Sequence, residues 1–501
     1  MSNIRVTYTG FISFFVAIIT VITSSLFTLI LTRTLTQEEF GTWGLIIGIT
    51  QYVIVFGAIV TFWSTRDTAR KIESEKTAIL GNMLLSIIAV VLYVAISYFL
   101  GNAAKIDLNI IFFSVILIPM VFFTGILTAI TLGWKPHVIS YGLLAFGISQ
   151  IIFAVFFVYY LDLGVSGIII AMFISHTINA LILFKYSKHK ISNKFNFGYF
   201  KRWIKLSWVP LYPWLATTFG ALGISIFTIM TGSVMGLAVW TAAIAVSAMI
   251  THVSTISRAV YPKLLGDKNV HYLRDNISLL FFFNILMTGT VIVFAKPALY
   301  ALNPIYSDAF PVVIILATYH FFVVVSNVSI QNLGGIENID LDEKATLRKY
   351  FHSKLFYPHT LRFIETLIFV PILIIGLYLL IDSNHTDIDL LIFWSLVTLF
   401  IAMPITIYLL FKMTKALDFK LDYKLIIKYF MIGICAFASI FVITENYLLY
   451  ESNIFSFLPN LLLFFAIGIS FYLGLAYVTD KRTRYLVTSI IKEIKSRGFF
   501  G

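Results

Sequence analysis

The chain has 501 residues, of which 59% are hydrophobic and only 12% charged, whereas soluble domains carry about 25% charged residues; a water-soluble fold is excluded. In such a chain the formal net charge of +12 reads as basic loops held on one side of a membrane, not as a nucleic-acid surface. The single cysteine, Cys435, excludes an internal disulfide, and its apolar neighbours make it a packing residue.

The first elements are two stretches without Asp, Glu, Lys or Arg, 10–32 and 41–63, each of 23 residues. A helix rises ~1.5 Å per residue, so each crosses a hydrocarbon core of ~30 Å. Backbone polar groups find no water there, so the pair must be two helices joined by the short polar segment Arg33-Thr34-Leu35-Thr36-Gln37-Glu38-Glu39-Phe40. The first stretch is too long for the apolar region of a secretory leader and has no small-residue cleavage site after it, so a retained span is expected.

The same criterion gives about 14 transmembrane helices: 10–32, 41–63, 77–100, 110–132, 138–160, 164–184, 206–231, 236–256, 276–295, 309–332, 363–381, 390–411, 429–449 and 459–478. Twelve are free of Asp, Glu, Lys and Arg; Glu365 and Glu445 lie near the ends of the other two, within reach of the interface. An even number places both termini on one side. That side collects 33 of the 36 Lys and Arg residues, and the other holds only Arg33, Lys105 and Lys296. A misplaced span would scramble this alternation, so both termini are expected to be cytoplasmic.

Domain organisation follows from the connections. The stretch 185–205 has seven basic residues and no acid, and its segment Phe195-Asn196-Phe197-Gly198-Tyr199-Phe200-Lys201-Arg202-Trp203 mixes aromatic and basic side chains as an interfacial helix does. It separates an N-terminal six-helix bundle, 1–184, from a second six-helix bundle, 206–428. Transmembrane helices 13 and 14 (429–478) and a basic cytoplasmic tail (479–501) follow. In the tail, Leu486, Ile490 and Ile494 recur every fourth residue among Lys492, Lys495 and Arg497, the pattern of a surface anchor. Gly41-Thr42-Trp43 opens span two, and Gly236-Leu237-Ala238-Val239-Trp240 echoes it at span eight. Both preceding spans run outward, so a parallel repeat is expected, with a substrate site between the halves.

Catalytic chemistry is not expected. The sequence contains no GxxxxGK[ST], HExxH or CxxC, and its exterior acids are scattered, so no catalytic residue, metal or cofactor is assigned and the chain is not read as an enzyme. Polar residues at span depth are the candidate site. Gln51, Gln150, His176, Asn179, His252, Asn284, His320, Asn327 and Gln331 are either hydrogen-bonding contacts between helices or the lining of a hydrated cavity. His176 and Asn179 share a helix face, and His320, Asn327 and Gln331 share a stripe. Pro210 and Pro213 should bend span seven, as a hinge or as a fixed kink.

The hairpin Leu31-Thr32-Arg33-Thr34-Leu35-Thr36-Gln37-Glu38-Glu39-Phe40-Gly41-Thr42-Trp43-Gly44-Leu45 is similar to the opening of the polysaccharide transporter (O-antigen flippase-like) family of the multidrug/oligosaccharidyl-lipid/polysaccharide exporter superfamily. Gly57, the Arg66–Arg70 connection, Leu163-Gly164-Val165-Ser166-Gly167-Ile168, Val209-Pro210-Leu211 and Tyr306-Ser307-Asp308-Ala309-Phe310-Pro311 extend the resemblance over roughly residues 5–330. Two features depart from it. Residues 221–231 lack the acid often found in span seven, and 382–387 replaces a Gly-rich turn.

The resemblance implies a flippase that moves a lipid-linked (polyprenyl-phosphate or pyrophosphate) oligosaccharide from the cytoplasmic to the outer leaflet of the cell membrane, by alternating access of two bundles. Its expected partners are that lipid-linked oligosaccharide, membrane lipids and other glycan-assembly membrane proteins. An anionic head group needs cations along its path. Arg33 at the outer mouth and Arg66, Arg70 and Arg258 at the inner mouth are the candidates, with Gln51, His176, Asn179 and His320 lining the way. The alternative is an ion-coupled small-molecule or multidrug exporter of the same superfamily. A membrane glycan polymerase is less favoured, because no exterior catalytic loop exists for it.

Overall fold

The computed structural model describes residues 6–191, 194–257, 271–337, 347–354, 356–481 and 483–484. Within them the chain is an all-α polytopic membrane protein, and no strand occurs among the described residues. Its helices are α1 (Val6–Thr34), α2 (Gln37–Val53), α3 (Val55–Ala69), α4 (Glu75–Ala104), α5 (Leu108–Trp134), α6 (His137–Tyr160), α7 (Gly164–Ser187), α8 (Phe197–Lys205), α9 (Trp208–Gly220) and α10 (Leu222–Thr231). After α11 (Met235–Ser247) the eighth span continues as a 3-10 helix, Ala248–Ser257. Then come α12 (His271–Val293), α13 (Ala295–Leu302), α14 (Phe310–Gly335), α15 (Leu347–Phe351), α16 (Tyr357–Asp382), α17 (Asp387–Ala416), α18 (Tyr423–Tyr447) and α19 (Ile454–Thr479).

Among the described residues, twelve helices are long and apolar enough to cross a membrane, and the bent pair α2–α3 raises this to thirteen. The helix α1 occupies the place of the first expected span. Arg258 and the amphipathic tail segment 485–497 lie outside the described residues.

The helices begin where the sequence offers side-chain acceptors. Thr36 caps α2 in a full capping box with Glu39, and Thr386 and Asp389 form the same reciprocal pair at α17. Asp107 and Asn453 cap α5 and α19. These four caps fall in connections expected on the sparsely charged side, where short joints leave little else to satisfy the first N–H groups. Gly232 closes α10 with φ +61, a left-handed conformation that favours glycine.

Two compact units are present: Met1–Ala245 with Glu337–Ile401, and Val246–Ile336 with Ala402–Gly501. In the first, Asn82 of α4 is buried and donates its side-chain amide to the Phe122 carbonyl of α5 at 2.7 Å. In the second, Asn284 of α12 is buried and donates to the Phe321 carbonyl of α14 at 3.0 Å. Both leave Oδ1 without a hydrogen bond. The third and fourth spans thus repeat at the ninth and tenth, down to one side-chain bond. Span two breaks at Ile54 and span eight passes from α to 3-10 at Ala248, roughly a dozen residues after Gly41 and Gly236. Both observations extend the internal echo read from the glycines.

Candidate functional site

In the first unit the polar groups gather where two spans are interrupted. The axes of α2 and α3 differ by 54°. No proline lies there. The Gly57 N–H instead bonds the Ile54 carbonyl at 3.0 Å, a turn tighter than the α-helix. Span seven is interrupted at Ala221, between α9 and α10. Tyr52, two residues before the bend, donates to the Ala221 carbonyl at 2.8 Å, and its hydroxyl lies 2.8 Å from Ser225 Oγ. The Ala221 carbonyl also accepts from the Ile224 N–H at 3.1 Å, so Tyr52 fills its second lone pair and joins α2 to the break.

Beside it, Gln51 is exposed on α2, one turn beyond the exposed Ile47. A primary amide facing hydrocarbon is costly, so the surroundings of Gln51 bear on any path along α2.

Toward the first joint, glycines bring backbones together. A Cβ added at Gly41 would collide with the Val234 carbonyl oxygen; at Gly44 it would stand 2.5 Å from Thr241 Oγ1, and at Gly48 2.9 Å from Ile224. Gln37 adds a side-chain hydrogen bond to the Met235 carbonyl at 3.3 Å. Phe40 and Trp43, which flank Gly41, are buried. The motif Phe40-Gly41-Thr42-Trp43 therefore acts here as a packing seam between α2 and the start of α11.

The expected site residues are dispersed. Arg33 lies half-buried in the last turn of α1. Arg66 is half-buried on α3 with its guanidinium 4.0 Å from the centre of the Phe62 ring, and Arg70 is exposed as the C-cap of the same helix. The structure thus brings Arg66 and Arg70 together one turn apart, at the opposite end of the first hairpin from Arg33.

His176 packs on Phe146 with ring centres 4.8 Å apart, and the Asn179 amide oxygen presses on Gly142, so both sit between α7 and α6. In the second unit His320 is buried on α14, while Asn327 of the same stripe is exposed. Pro210 and Pro213 lie within α9, which runs through both; the interruption of this span comes at Ala221.

The second unit also contains an apolar pocket of about 600 Å³ between α12, α14 and α18, lined by Ile285, Gly289, Phe321, Phe437 and their neighbours. No charged side chain lines it, so its chemistry suits an apolar chain and not an anionic head.

Three contributors were not singled out in the sequence. Tyr52 has a hydroxyl in an apolar run, which needs a partner wherever it is buried. Asn82 is a polar residue at span depth like those named above. Asp67, an acid between Arg66 and Arg70, proves to be buried near the end of α3.

No protein-family model and no curated protein matches the chain. Solved structures share its fold. The lipid II flippase MurJ in an inward closed conformation superposes with a TM-score of 0.66 at 17% identity, over 96% of this chain and 100% of that one. An inward-facing multidrug resistance MATE family transporter of the MOP superfamily gives 0.59 at 15% identity, over 79% and 95%. A MOP superfamily transporter from Pyrococcus furiosus gives 0.54 at 14%, over 83% and 96%. The fold is that of these transporters, and the protein is a multi-pass integral membrane protein.

Proposed function

We propose that the chain is a flippase for a lipid-linked oligosaccharide with a polyprenyl phosphate or pyrophosphate carrier. The observation that carries this reading is the extent of the likeness. The lipid II flippase accounts for 96% of this chain, whereas the MATE transporter accounts for 79%. Arginines at both ends of the first hairpin, Arg33 against Arg66 and Arg70, support it by offering cations to a phosphate on either side of the membrane. On this reading the exposed Gln51 between them lines a hydrated path. Alternating access would carry the head group while the polyprenyl tail stays in lipid.

Reconstitution into vesicles with a fluorescent polyprenyl-pyrophosphate oligosaccharide tests the proposal. Protein-dependent loss of lumenal probe to an external quencher is the expected result. No translocation across several glycan types, together with uptake of cationic dyes down an ion gradient, would favour the second reading, a small-molecule exporter; its support is the likeness to the MATE transporter.

A further inference from the structure

We infer that the helix α8 is a docking surface for anionic phospholipid head groups, in the leaflet on the side of the basic connections. One face of α8 is fixed to the first unit by contacts with two spans. Asp67, whose side chain is 3% exposed near the end of α3, accepts hydrogen bonds from the Arg202 guanidinium and from Trp203 Nε1, the latter at 3.1 Å. The Phe200 ring lies against Gly81 of α4, where a Cβ would stand 2.6 Å from it. The Asn196 backbone N–H, just before the helix, bonds Thr77 Oγ1 at 2.8 Å. Trp203 is wholly buried. With this face held, rotation of α8 about its axis is determined.

The opposite face is therefore determined too. Phe197, Lys201, Ile204 and Lys205 are exposed and fall on one stripe, and exposed Lys194 and Phe195 precede them. Arg202 is engaged by Asp67, so the cations turned outward are lysines. No acid occurs from residue 185 to 205 to offset them. Phe197 is 63% exposed and Ile204 41%. An acidic protein or a nucleic acid would match the lysines but leave these side chains in water. The head-group region of a bilayer accommodates both, apolar side chains toward the acyl boundary and lysines at the phosphates. The contacts with α3 and α4 near their ends place α8 at that depth.

Native mass spectrometry of the detergent-solubilised full chain, titrated with phosphatidylglycerol against phosphatidylcholine, tests this without a transport readout. The variant Lys194→Gln/Lys201→Gln/Lys205→Gln should lower the preference for phosphatidylglycerol by at least about five-fold. A control, Lys415→Gln/Lys420→Gln/Lys424→Gln, removes the same charge from exposed positions of another basic connection and should change it by less than about two-fold. Equal losses in the two variants would reduce the effect to general charge and overturn the proposal. An unchanged preference in the first variant would make α8 a solvated helix and overturn it as well.

Discussion

Tyr52 holds the carbonyl of Ala221 at 2.8 Å and so ties the bend in one membrane span to the interruption in another. Neither discontinuity stands alone: the residue that precedes the first adds a second hydrogen bond to the carbonyl at the other, beside that from the Ile224 N–H. Tyr52→Phe removes that donor at nearly constant shape. The expected loss is about 1 kcal/mol, the usual size of a side-chain hydrogen bond between membrane helices. Unfolding in detergent followed by tryptophan fluorescence measures it, and a loss within experimental error would mean that the break at Ala221 is satisfied without Tyr52.

Gly41 should tolerate no side chain. Its neighbour is a backbone carbonyl, which cannot rotate away, so Gly41→Ala should destabilise by about 1–3 kcal/mol through overpacking. Gly125→Ala serves as the comparison, because a Cβ there meets nothing within 4 Å. Equal thermal stability of the two variants would show that the seam yields easily.

The two buried asparagines make matching bonds in different units, and their removal should cost matching amounts. Asn82→Leu and Asn284→Leu should each lose about 0.6–1.7 kcal/mol. A ratio of the two losses far from one would separate the positions energetically despite their shared geometry.

Asp480 lies just beyond α19. Burial opposes its charge, but hydrogen bonds from the Thr483 backbone and hydroxyl and from Lys428 outweigh this and hold its carboxyl below the ordinary range. A depressed carboxyl stabilises the folded state fully above its unfolded value and loses that contribution as pH falls through the folded one. The melting temperature of Asp480→Asn should therefore lie below that of the parent at pH 7, by on the order of 1–2 °C. The gap should close only in strong acid, as scanning fluorimetry across pH would record. A gap that closed near neutrality would point to another group.

On the flippase reading, Arg33→Ala should slow translocation by about ten-fold, the loss expected for one charge-assisted contact. Lys should restore part of the rate. Vesicle assays at equal protein insertion check this, and an unchanged Ala variant would leave Arg33 as an interfacial residue.

Most of the helix plan was legible in the sequence because a bilayer imposes length and polarity together. Residues 77–100 and 363–381, for example, lie wholly inside α4 and α16. The bend at Ile54 was not legible, since valine, isoleucine and phenylalanine around it announce no break and Gly57 alone marks it. Conversely, Pro210 and Pro213 drew attention to a stretch that stays helical. Proline needs no N–H partner near a helix start, and the actual interruption falls farther on, at Ala221. Asp67 was hidden because the count across the membrane took only Lys and Arg, and because an acid in a basic connection gives no sign of its depth. The pairing of His176 with Phe146, and of Asn179 with Gly142, depends on how two helices meet, which periodicity on one helix does not specify.

The bond from Asn82 also carries a schedule. It joins spans three and four, only 40 residues apart, and can close as soon as the ribosome has delivered both to the membrane. The Gly41 seam needs Val234, far later in the chain, and must stay open while the intervening helices are inserted. Biogenesis thus proceeds with the early clasp already shut and one glycine-lined face of the second span waiting for its partner. A chaperone or insertase that shields that face during synthesis would be acting on a surface of the hairpin left unfinished until span eight is delivered.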